Sequence, residues 1–364
     1  MGKAIYIGVD GVARKVKKVY LGVDSLARKV KKGYIGVAGV ARQFYSSKQV
    51  LSYYGLATNL NAARGYLAAT TVGNYALFGG GNGNSVNGVS AGYFVDAYDN
   101  TLVHSSPSNL GSDTFALAAT TVGNYALFGG GGYATVTAYD TSLAKTTPTA
   151  LRSENYYLAA TTIGNYALFG GGQSHGNYVD AYDTSLAKTT PTNLSSSRSS
   201  LTATTIGNYA LFGGGSNKSN VVDAYDTSLT RSTPTALSIG RSELAATTVG
   251  NYALFGGGYS GTYSTVVDAY DTSLTRSTPT ALSTGMRRCA ATSVGDYALF
   301  GGGDSGDRTN VVNTYDENLL MSVQTSLNTA TSFLAAASVG DYALFGGGDL
   351  VSGYLALVNV YQVL

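Results

Sequence analysis

The phrase GNYALFGGG occupies residues 73–81, and six near-identical copies follow it along the chain. They begin at residues 123, 164, 207, 250, 295 and 340, in steps of 41 to 50 residues, and the last two read GDYALFGGG. The Gly-Asn or Gly-Asp pair is typical of a two-residue hairpin turn, and YALF, ended by three glycines, is typical of a short buried strand. Recurrence of one unit at this period predicts a repeat architecture.

Each copy has similar neighbours, and these complete a four-stranded unit. A run such as LAATTV (67–72) precedes it as strand A, YALF is strand B, and a run such as VVDAYD (221–226) follows as strand C. Strand D is expected near STPTAL (232–237), where proline suits an outer edge that needs no ladder N–H. The five prolines are Pro107, Pro148, Pro191, Pro234 and Pro279. Seven four-stranded units predict an all-β fold, a seven-bladed β-propeller at residues 49–364.

The two ends of the repeat region complete one blade. The chain ends at NVYQVL (359–364), which corresponds to strand C of the seventh unit and leaves that unit without strand D. The segment VLSYYGLATNL (50–60) precedes the first strand A and resembles a D segment. We therefore expect the N-terminal strand to close the last blade.

Several residues of the unit resemble the kelch family, whose central-domain repeats in galactose oxidase form propellers. The resemblance rests on the glycine pair Gly256 and Gly257, on the Tyr270-Asp271 pair, and on Arg241 upstream of strand A. Kelch units usually carry Trp after the Tyr-Asp pair, whereas this chain has no Trp and places Leu229 and Ser232 in that stretch. Packing between blades is therefore expected to depend on Tyr and Phe.

The composition argues against an enzyme and against a cofactor. With one Cys (Cys289) and two His (His104, His175), the chain has too few ligands for a zinc site of Cys and His. The kelch resemblance raises the copper oxidases related to galactose oxidase, but the two His lie in different units and Cys289 fits a filler role at strand A. No carboxylate pair can be assigned catalytic geometry. We expect no catalytic residue, no metal and no cofactor.

The units differ from one another mainly in two sets of loops. The A–B and C–D turns are nearly constant, whereas the B–C and D–A connections vary. In a four-stranded meander these two variable sets emerge on one face, which we call the variable face. Their Tyr, Ser, Gly, Asn and Arg are typical of recognition loops. Alternatively, loops simply tolerate change. The candidate ligand-binding residues are Tyr66, Tyr93, Tyr133, Tyr156, Tyr157, His175, Tyr178, Arg198, Arg241, Tyr259, Tyr263, Arg287, Arg288, Arg308, Phe333 and Tyr354.

Residues 1–48 form a separate basic segment. They hold 11 Lys and Arg against two Asp, a balance of +9, whereas residues 49–364 have a balance of −7. A 14-residue repeat starts at Tyr6, Tyr20 and Tyr34. Its apolar spacing fits a coiled coil, but the central glycines and Asp10-Gly11 favour strands joined by tight turns, which we prefer. Its candidate anchoring residues are Tyr6, Arg14, Lys15, Tyr20, Arg28, Lys29, Tyr34 and Arg42.

These units resemble short basic repeats at the ends of phage and prophage structural proteins of Gram-positive bacteria, judging from GVARKVKK and GVARQFY. The resemblance implies a virion-associated binding protein or adhesin, made in the bacterial cytoplasm and mounted on a phage or phage-like particle. Residues 1–48 would contact other particle proteins and form a homo-oligomer, and the propeller would bind a host-surface glycan or protein. Alternatives are an architectural particle component and a cellular kelch scaffold. Nucleic acid is disfavoured because no base-reading module accompanies the charge. Neither a signal peptide nor a membrane span is expected.

Overall fold

Each repeated unit folds into a four-stranded antiparallel sheet, a blade, and seven blades form a ring. The computed structural model describes residues 49–364 and, before them, only the backbone of six strands. Strand A of each blade lines a central channel and strand D lies at the outer rim. The predicted all-β, seven-bladed propeller is confirmed.

The strands have these bounds in order from blade 1 to blade 7. Strands A are Ala68–Val72, Leu117–Val122, Ala159–Ile163, Thr202–Ile206, Ala245–Val249, Ala290–Val294 and Ala335–Val339. Strands B are Tyr75–Gly79, Tyr125–Gly130, Tyr166–Gly170, Tyr209–Gly213, Tyr252–Gly256, Tyr297–Gly301 and Tyr342–Gly346. Strands C are Val95–Asp99, Val136–Asp140, Val179–Asp183, Val222–Asp226, Val267–Asp271, Val312–Asp316 and Val358–Val363. Strands D are His104–Ser105, Lys145–Thr146, Lys188–Thr189, Arg231–Ser232, Arg276–Ser277, Met321–Gln324 and Leu51–Ala57.

The last blade is closed by the N-terminal strand, as predicted. Leu51–Ala57 pairs antiparallel with Val358–Val363, and the sheet order places it outermost. A bulge between Val360 and Tyr361 leaves Tyr54 without a partner in this ladder. Strands from both ends of the repeat region therefore share one sheet, which closes the ring.

Most outer strands are shorter than the sequence suggests. In blade 4 the ladder comprises only Arg231–Ser232 and stops before Pro234, which has no N–H to donate. Blade 6 carries Gln324 at the corresponding position, and its outer strand extends over four residues, Met321–Gln324. Proline therefore lies just beyond the ladder, not within it.

Phe and Gly interlock at every junction between blades. The Phe of strand B packs against the glycine that directly follows the corresponding Phe in the preceding blade. A Cβ on Gly79 would lie 2.7 Å from Cε1 of Phe128, and a Cβ on Gly346 would lie 2.9 Å from Cε1 of Phe78, which closes the ring. Only glycine leaves room for the aromatic ring, so the repeated phrase is required by packing.

Tyr supplies the second contact between blades. The Tyr of each strand C is fully buried and donates its hydroxyl hydrogen to a backbone carbonyl of the preceding blade, over 2.5 to 2.7 Å. Tyr225, for example, bonds the carbonyl of Thr192 and meets Phe212 edge to face at 6.0 Å. Burial raises the pKa of these phenols, so they remain protonated. Tyr and Phe thus make the contacts expected of them in a chain without Trp.

The basic N-terminal segment forms hairpins. Tyr6–Val9 pairs with Val12–Lys15, Tyr20–Val23 with Leu26–Lys29, and Lys32–Val37 with Val40–Ser46. The strand alternative is therefore confirmed over the coiled coil. The side chains of the eight candidate anchoring residues lie outside the described part of the structure. The chain divides into two units, Met1–Val50 and Leu51–Leu364. No helix within the described residues is long and apolar enough to span a membrane.

Candidate functional site

The two sets of variable loops meet on one face of the ring. Isolated antiparallel bridges join a D–A loop to the following B–C loop at Ser242 with Tyr259, Arg287 with Asp304, and Ser332 with Asp349. In blade 1 the corresponding bond pattern is a short ladder between Arg64–Gly65 and Asn82–Gly83. In these four blades the two loop sets of the variable face therefore support each other.

Seven equivalent residues form a rim around the channel on this face. Each immediately precedes the first channel-lining residue of a blade, and each has a left-handed backbone with φ between +52° and +58°. The rim residues are Tyr66, Ala116, Tyr157, Ser200, Glu243, Arg288 and Phe333. The N–H of each donates to the carbonyl of the rim residue one blade earlier, over 2.8 to 3.0 Å, and Tyr66 donates to Phe333. The backbone thus makes a closed circle of seven hydrogen bonds.

The seven rim residues are all non-glycine although their backbone is left-handed. A left-handed backbone is cheapest for glycine, and a chain with 48 Gly places none at these seven positions. The C–D turns also hold a non-glycine residue at positive φ, but there it is always Leu, as at Leu229, whose side chain packs on the core. At the rim the backbone is constant and the side chain varies from Ala to Arg. The rim therefore presents different side chains on one invariant frame.

The rim opens into a cavity of about 310 Å³ whose wall is largely apolar. Below the rim the wall consists of Leu, Ala and Thr from all seven blades, with Cys289 at one Leu position. Desolvation raises the pKa of the Cys289 thiol to about 12. The buried side chain of Met286 lies 3.5 Å from the position that a Cβ on Gly257 would take. In the other blades the first Leu of the channel wall lies at the corresponding glycine. Cys289 therefore fits the predicted filler role.

One side of the mouth carries a network of charges. The Glu243 carboxylate accepts hydrogen bonds from Arg288 at 2.8 Å and from Arg287 at 3.1 Å. Arg287 also pairs with Asp304 at 3.0 Å, and Glu243 and Asp304 raise the pKa of Arg287 against the effect of burial. Arg308 extends the network to Asp349 at 2.9 Å. Three guanidinium groups meet three carboxylates, so the network is close to neutral.

Aromatic side chains continue the mouth from this network. The Arg288 guanidinium lies 4.5 Å from the centroid of Phe333, which stacks on Tyr66 at 3.7 Å. Phe115 and Tyr156 extend the series, with ring centroids 5.1 Å apart. The result is an unbroken arc from the Glu243 carboxylate to a series of aromatic rings.

Tyr157 stands apart from this arc, between the small rim residues Ala116 and Ser200. Burial raises its pKa, and the nearby charge of Arg288 opposes that rise while the charge of Glu243 adds to it. Tyr66 also has a raised pKa, from burial and from the neighbouring phenol of Tyr157. Two phenols, one guanidinium and one carboxylate thus converge on the mouth.

Other candidate residues lie farther out on the same face. Arg287 lies over the rings of Tyr259 and Tyr263, at 4.9 and 5.5 Å. In blade 3 the rings of Tyr178 and His175 stack with their centroids 4.8 Å apart, and the Arg152 guanidinium lies 4.2 Å from the centroid of the Tyr178 ring. Candidates in the B–C loops that line no part of the channel mouth are Tyr93 and Tyr354, both half-buried, and Tyr133, which is exposed.

Two candidates do not belong to the surface. Arg198 and Arg241 are buried and form ion pairs with Asp223 and Asp268 in their own blades, at 2.6 and 2.9 Å. Their prediction as ligand contacts conflicts with this burial, because both guanidinium groups are enclosed by the blade. Position by position, Met286 and Asn313 replace this Arg and Asp in blade 6, so both charges disappear together. These arginines are structural.

Sequence reasoning missed Glu243, Asp304, Asp349, Phe115 and Arg152 as members of the site. The sequence did contain a signal for Glu243. When the seven D–A loops are aligned with one another, Glu243 occupies the same position as the candidates Tyr157, Arg288 and Phe333. Asp304 depends on a contact with Arg287 between two loops of one blade, and Asp349 depends on a contact with Arg308 of the neighbouring blade, and no sequence pattern shows either contact. Among residues 49–364, no cluster of three or more His, Cys, Asp or Glu is placed to hold a metal ion.

The constant turns on the opposite face have a packing role. Gly73 of an A–B turn faces Thr141 in the C–D turn of the next blade, with 3.1 Å from its Cβ position to the Thr methyl. Within the C–D turn of blade 4, Asp226 accepts hydrogen bonds from the N–H groups of Ser228 and Thr230. Packing therefore explains why the turn residues on this face are nearly the same in every blade. The constant turns are not by themselves evidence for binding at the variable face, which is argued from the geometry of the channel mouth.

Comparison with known proteins supports the fold alone. No protein-family model matches the sequence, and no curated protein matches it. Among solved structures 865 chains match, so the fold is common and does not define a function. One, described as "Structure of YjhT", has a TM-score of 0.57 and 12% identity, and the match covers 71% of this chain and 99% of that chain. The class is a seven-bladed β-propeller, and the kelch subtype remains a prediction.

Proposed function

We propose that this protein is a non-enzymatic binding protein of a phage or phage-like particle. Residues 1–48 attach it to other particle proteins, and the variable face of the propeller binds a glycan or protein on the host surface. The binding site is centred on the channel mouth and includes Tyr66, Tyr157, Arg288 and Phe333.

The observation that carries this proposal is the rim of seven left-handed residues. A propeller that serves only as a spacer has no need for bulky or charged side chains at positions where glycine is cheapest. Here the rim brings aromatic rings and a compensated ion pair to the edge of an apolar cavity, as in sites that combine stacking with a few polar contacts. The carboxylates of the mouth are each held by Arg, which favours a binding role over acid–base chemistry.

The basic segment supports the location. Its hairpins comprise strands of four to seven residues, and a two-stranded hairpin is marginally stable alone. Such units gain stability by pairing with other chains, which suits an anchor. The 14-residue repeat and its likeness to phage structural repeats support attachment to a particle.

Binding of the full chain to intact Gram-positive cells and to purified cell-wall glycans tests the proposal. We expect binding by the full chain and by a chain lacking residues 1–48, whereas only the full chain joins the particle. The architectural alternative predicts that the full chain joins the particle and binds neither cells nor glycans. That outcome would overturn the adhesin role.

A further inference from the structure

The central channel has a second cavity, of about 640 Å³, at the end that opens among the constant A–B turns. Its wall combines Ala with two rings of side chains near the end of each strand A, nearly all of them hydroxyl-bearing. The first ring is Thr70, Thr120, Thr161, Thr204, Thr247, Thr292 and Ala337. The second ring, one residue further along, is Thr71, Thr121, Thr162, Thr205, Thr248, Ser293 and Ser338. No residue that lines this cavity is charged.

The hydroxyl groups of blades 1 to 5 bond each other across the blade junctions. Oγ1 of Thr161 lies 2.8 Å from Oγ1 of Thr205 in the next blade, and the Thr205 hydroxyl donates to the Thr162 carbonyl. Because a hydroxyl has one hydrogen, Thr161 must be the donor to Thr205. The same pattern recurs at the junctions of blades 1 and 2, 2 and 3, and 4 and 5. On this side of the channel the bonded hydroxyls therefore offer only oxygen lone pairs to the cavity.

The pattern stops where Ser replaces Thr in the second ring. Ser293 and Ser338 lack the methyl group that restricts the Thr rotamer, and among the described residues no hydrogen bond engages either hydroxyl. The first-ring hydroxyls of Thr247 and Thr292 are also without a bond in this part of the chain, although these residues are only 7% and 8% exposed. Buried polar groups normally have a partner. Four hydroxyl hydrogens are therefore free to bind a ligand on the side formed by blades 5 to 7.

We propose that this end of the channel binds a neutral polyol, either a free sugar or the end of a polysaccharide. The cavity offers hydrogens on one side and lone pairs on the other, and a hydroxyl group is able to accept the first and donate to the second. A charged ligand would lie in a cavity without a countercharge, which is costly. The Ala residues of the wall offer contacts to the C–H groups of a sugar, and the volume is typical of small-molecule sites.

This polyol site is distinct from the site proposed on the variable face. The two cavities share a ring of Ala residues, and their polar groups lie at opposite ends of the channel. The inference therefore goes beyond the proposed function, and either proposal can fail alone.

The test is a ligand-observed NMR titration of the full-length chain. Glucose is the free sugar, dextran is the polysaccharide, and 1,6-hexanediol is the control, with as many carbons as glucose but few hydroxyls. We expect glucose to bind and hexanediol not to bind. Binding of dextran as well would assign the site to chain ends of a polysaccharide, and binding of glucose alone would assign it to free sugars.

The variant Thr247→Val with Thr292→Val removes the two buried, unpaired hydroxyls and keeps the side-chain shape. We expect it to weaken glucose binding by roughly tenfold and to keep the melting temperature of the unchanged chain, because these hydroxyls bond no other group of the described chain. The matched control is Thr161→Val with Thr204→Val, at the same ring position in blades 3 and 4. We expect the control to lower the melting temperature, because two bonds between blades are lost, and to weaken glucose binding less.

Four outcomes would each overturn the proposal. They are the absence of binding by both glucose and dextran, equal binding of hexanediol, unaltered glucose binding in the first variant, and an equal loss in the control. Tyr157→Ala separates this site from the variable face. It should bind glucose like the unchanged chain, whereas the proposed function expects it to bind cells more weakly.

Discussion

The backbone N–H of Tyr66 donates to the carbonyl of Phe333 over 2.9 Å, and this single bond joins the first blade to the last at the channel rim. The same two residues stack their rings at 3.7 Å. Closure of the ring and construction of the mouth therefore share one pair of residues. The rim backbone has the same hydrogen bond in every blade, so side chains there can change while the frame stays.

The Phe–Gly contact predicts a marked effect of a single methyl group. In Gly213→Ala the new Cβ would lie 2.6 Å from Cε1 of buried Phe255, so we expect a loss of about 1–3 kcal/mol in the free energy of unfolding. Gly111→Ala is the control, because its Cβ would meet Thr135 at an ordinary 3.4 Å. Denaturant unfolding measures both. Equal effects in the two variants would contradict the packing role of the glycine.

Removal of the closing strand should affect the whole ring. Deletion of residues 1–57 removes the outer strand of blade 7 and exposes Val358–Val363 as an edge. We expect a lower melting temperature and aggregation for this deletion, whereas deletion of residues 1–48 should leave the melting temperature of the propeller unchanged. Calorimetry with light scattering measures the difference, and a 1–57 deletion as stable as the 1–48 deletion would refute closure by this strand.

The buried pair of blade 5 predicts a non-additive double substitution. Asp268→Asn alone leaves the buried Arg241 guanidinium without its carboxylate, and we expect it to cost about 3–5 kcal/mol. Arg241→Met leaves the buried Asp268 paired only with the half-buried Arg276 at 3.2 Å, so we expect a smaller loss. The double variant reproduces the Met286 and Asn313 pair of blade 6, so we expect most of that loss to be recovered. The measurement is a double-mutant cycle of unfolding free energies. Additive losses would show that the two positions are not coupled.

Acid should destabilise the propeller through its C–D turns. The Ser228 hydroxyl and the N–H groups of Thr230 and Ser228 lower the pKa of Asp226, and the same pattern lowers the pKa of Asp271. A carboxyl whose pKa is lower in the folded state stabilises that state above its unfolded pKa, and the effect is lost as pH falls through the folded pKa. Stability should therefore decline below about pH 4.

Asparagine substitution at the turns checks this assignment. Asp226→Asn with Asp271→Asn keeps a side-chain acceptor in each turn but removes the titrating group. We expect the dependence of unfolding free energy on pH to be shallower in this variant between about pH 5 and pH 2.5. An identical acid slope in the variant and the unchanged chain would assign the effect to other groups.

The repeat made most of the fold predictable from sequence. The hairpin signal at Gly73-Asn74 and the missing strand of the last unit were sufficient for seven blades and their closure by Leu51–Ala57. The length of strand D was overestimated, because proline stops the ladder before Pro234 and does not lie within it. Local patterns describe a unit well when its packing partners are copies of itself.

The candidate site was less predictable, for a physical reason. Tyr66, Tyr157, Arg288 and Phe333 could be selected as loop residues, but the left-handed backbone that unites them has no sequence signature when glycine is absent. Arg198 and Arg241 carry the same side chain as Arg288 and are buried, because strand C in their blades supplies an Asp. Only contacts within and between blades separate structural arginines from those at the surface.

Binding through the variable face is tested by comparing the two faces of the propeller in one measurement. Full-length chains with Tyr157→Ala or Arg288→Ala on the variable face, and with Asn208→Ala in a constant turn, are titrated onto immobilised Gram-positive cell envelopes. We expect each rim variant to weaken binding by roughly thirtyfold, which corresponds to the loss of about 2 kcal/mol at a hot spot, and we expect Asn208→Ala to bind like the unchanged chain. Normal binding by both rim variants with loss of binding in Asn208→Ala would contradict it.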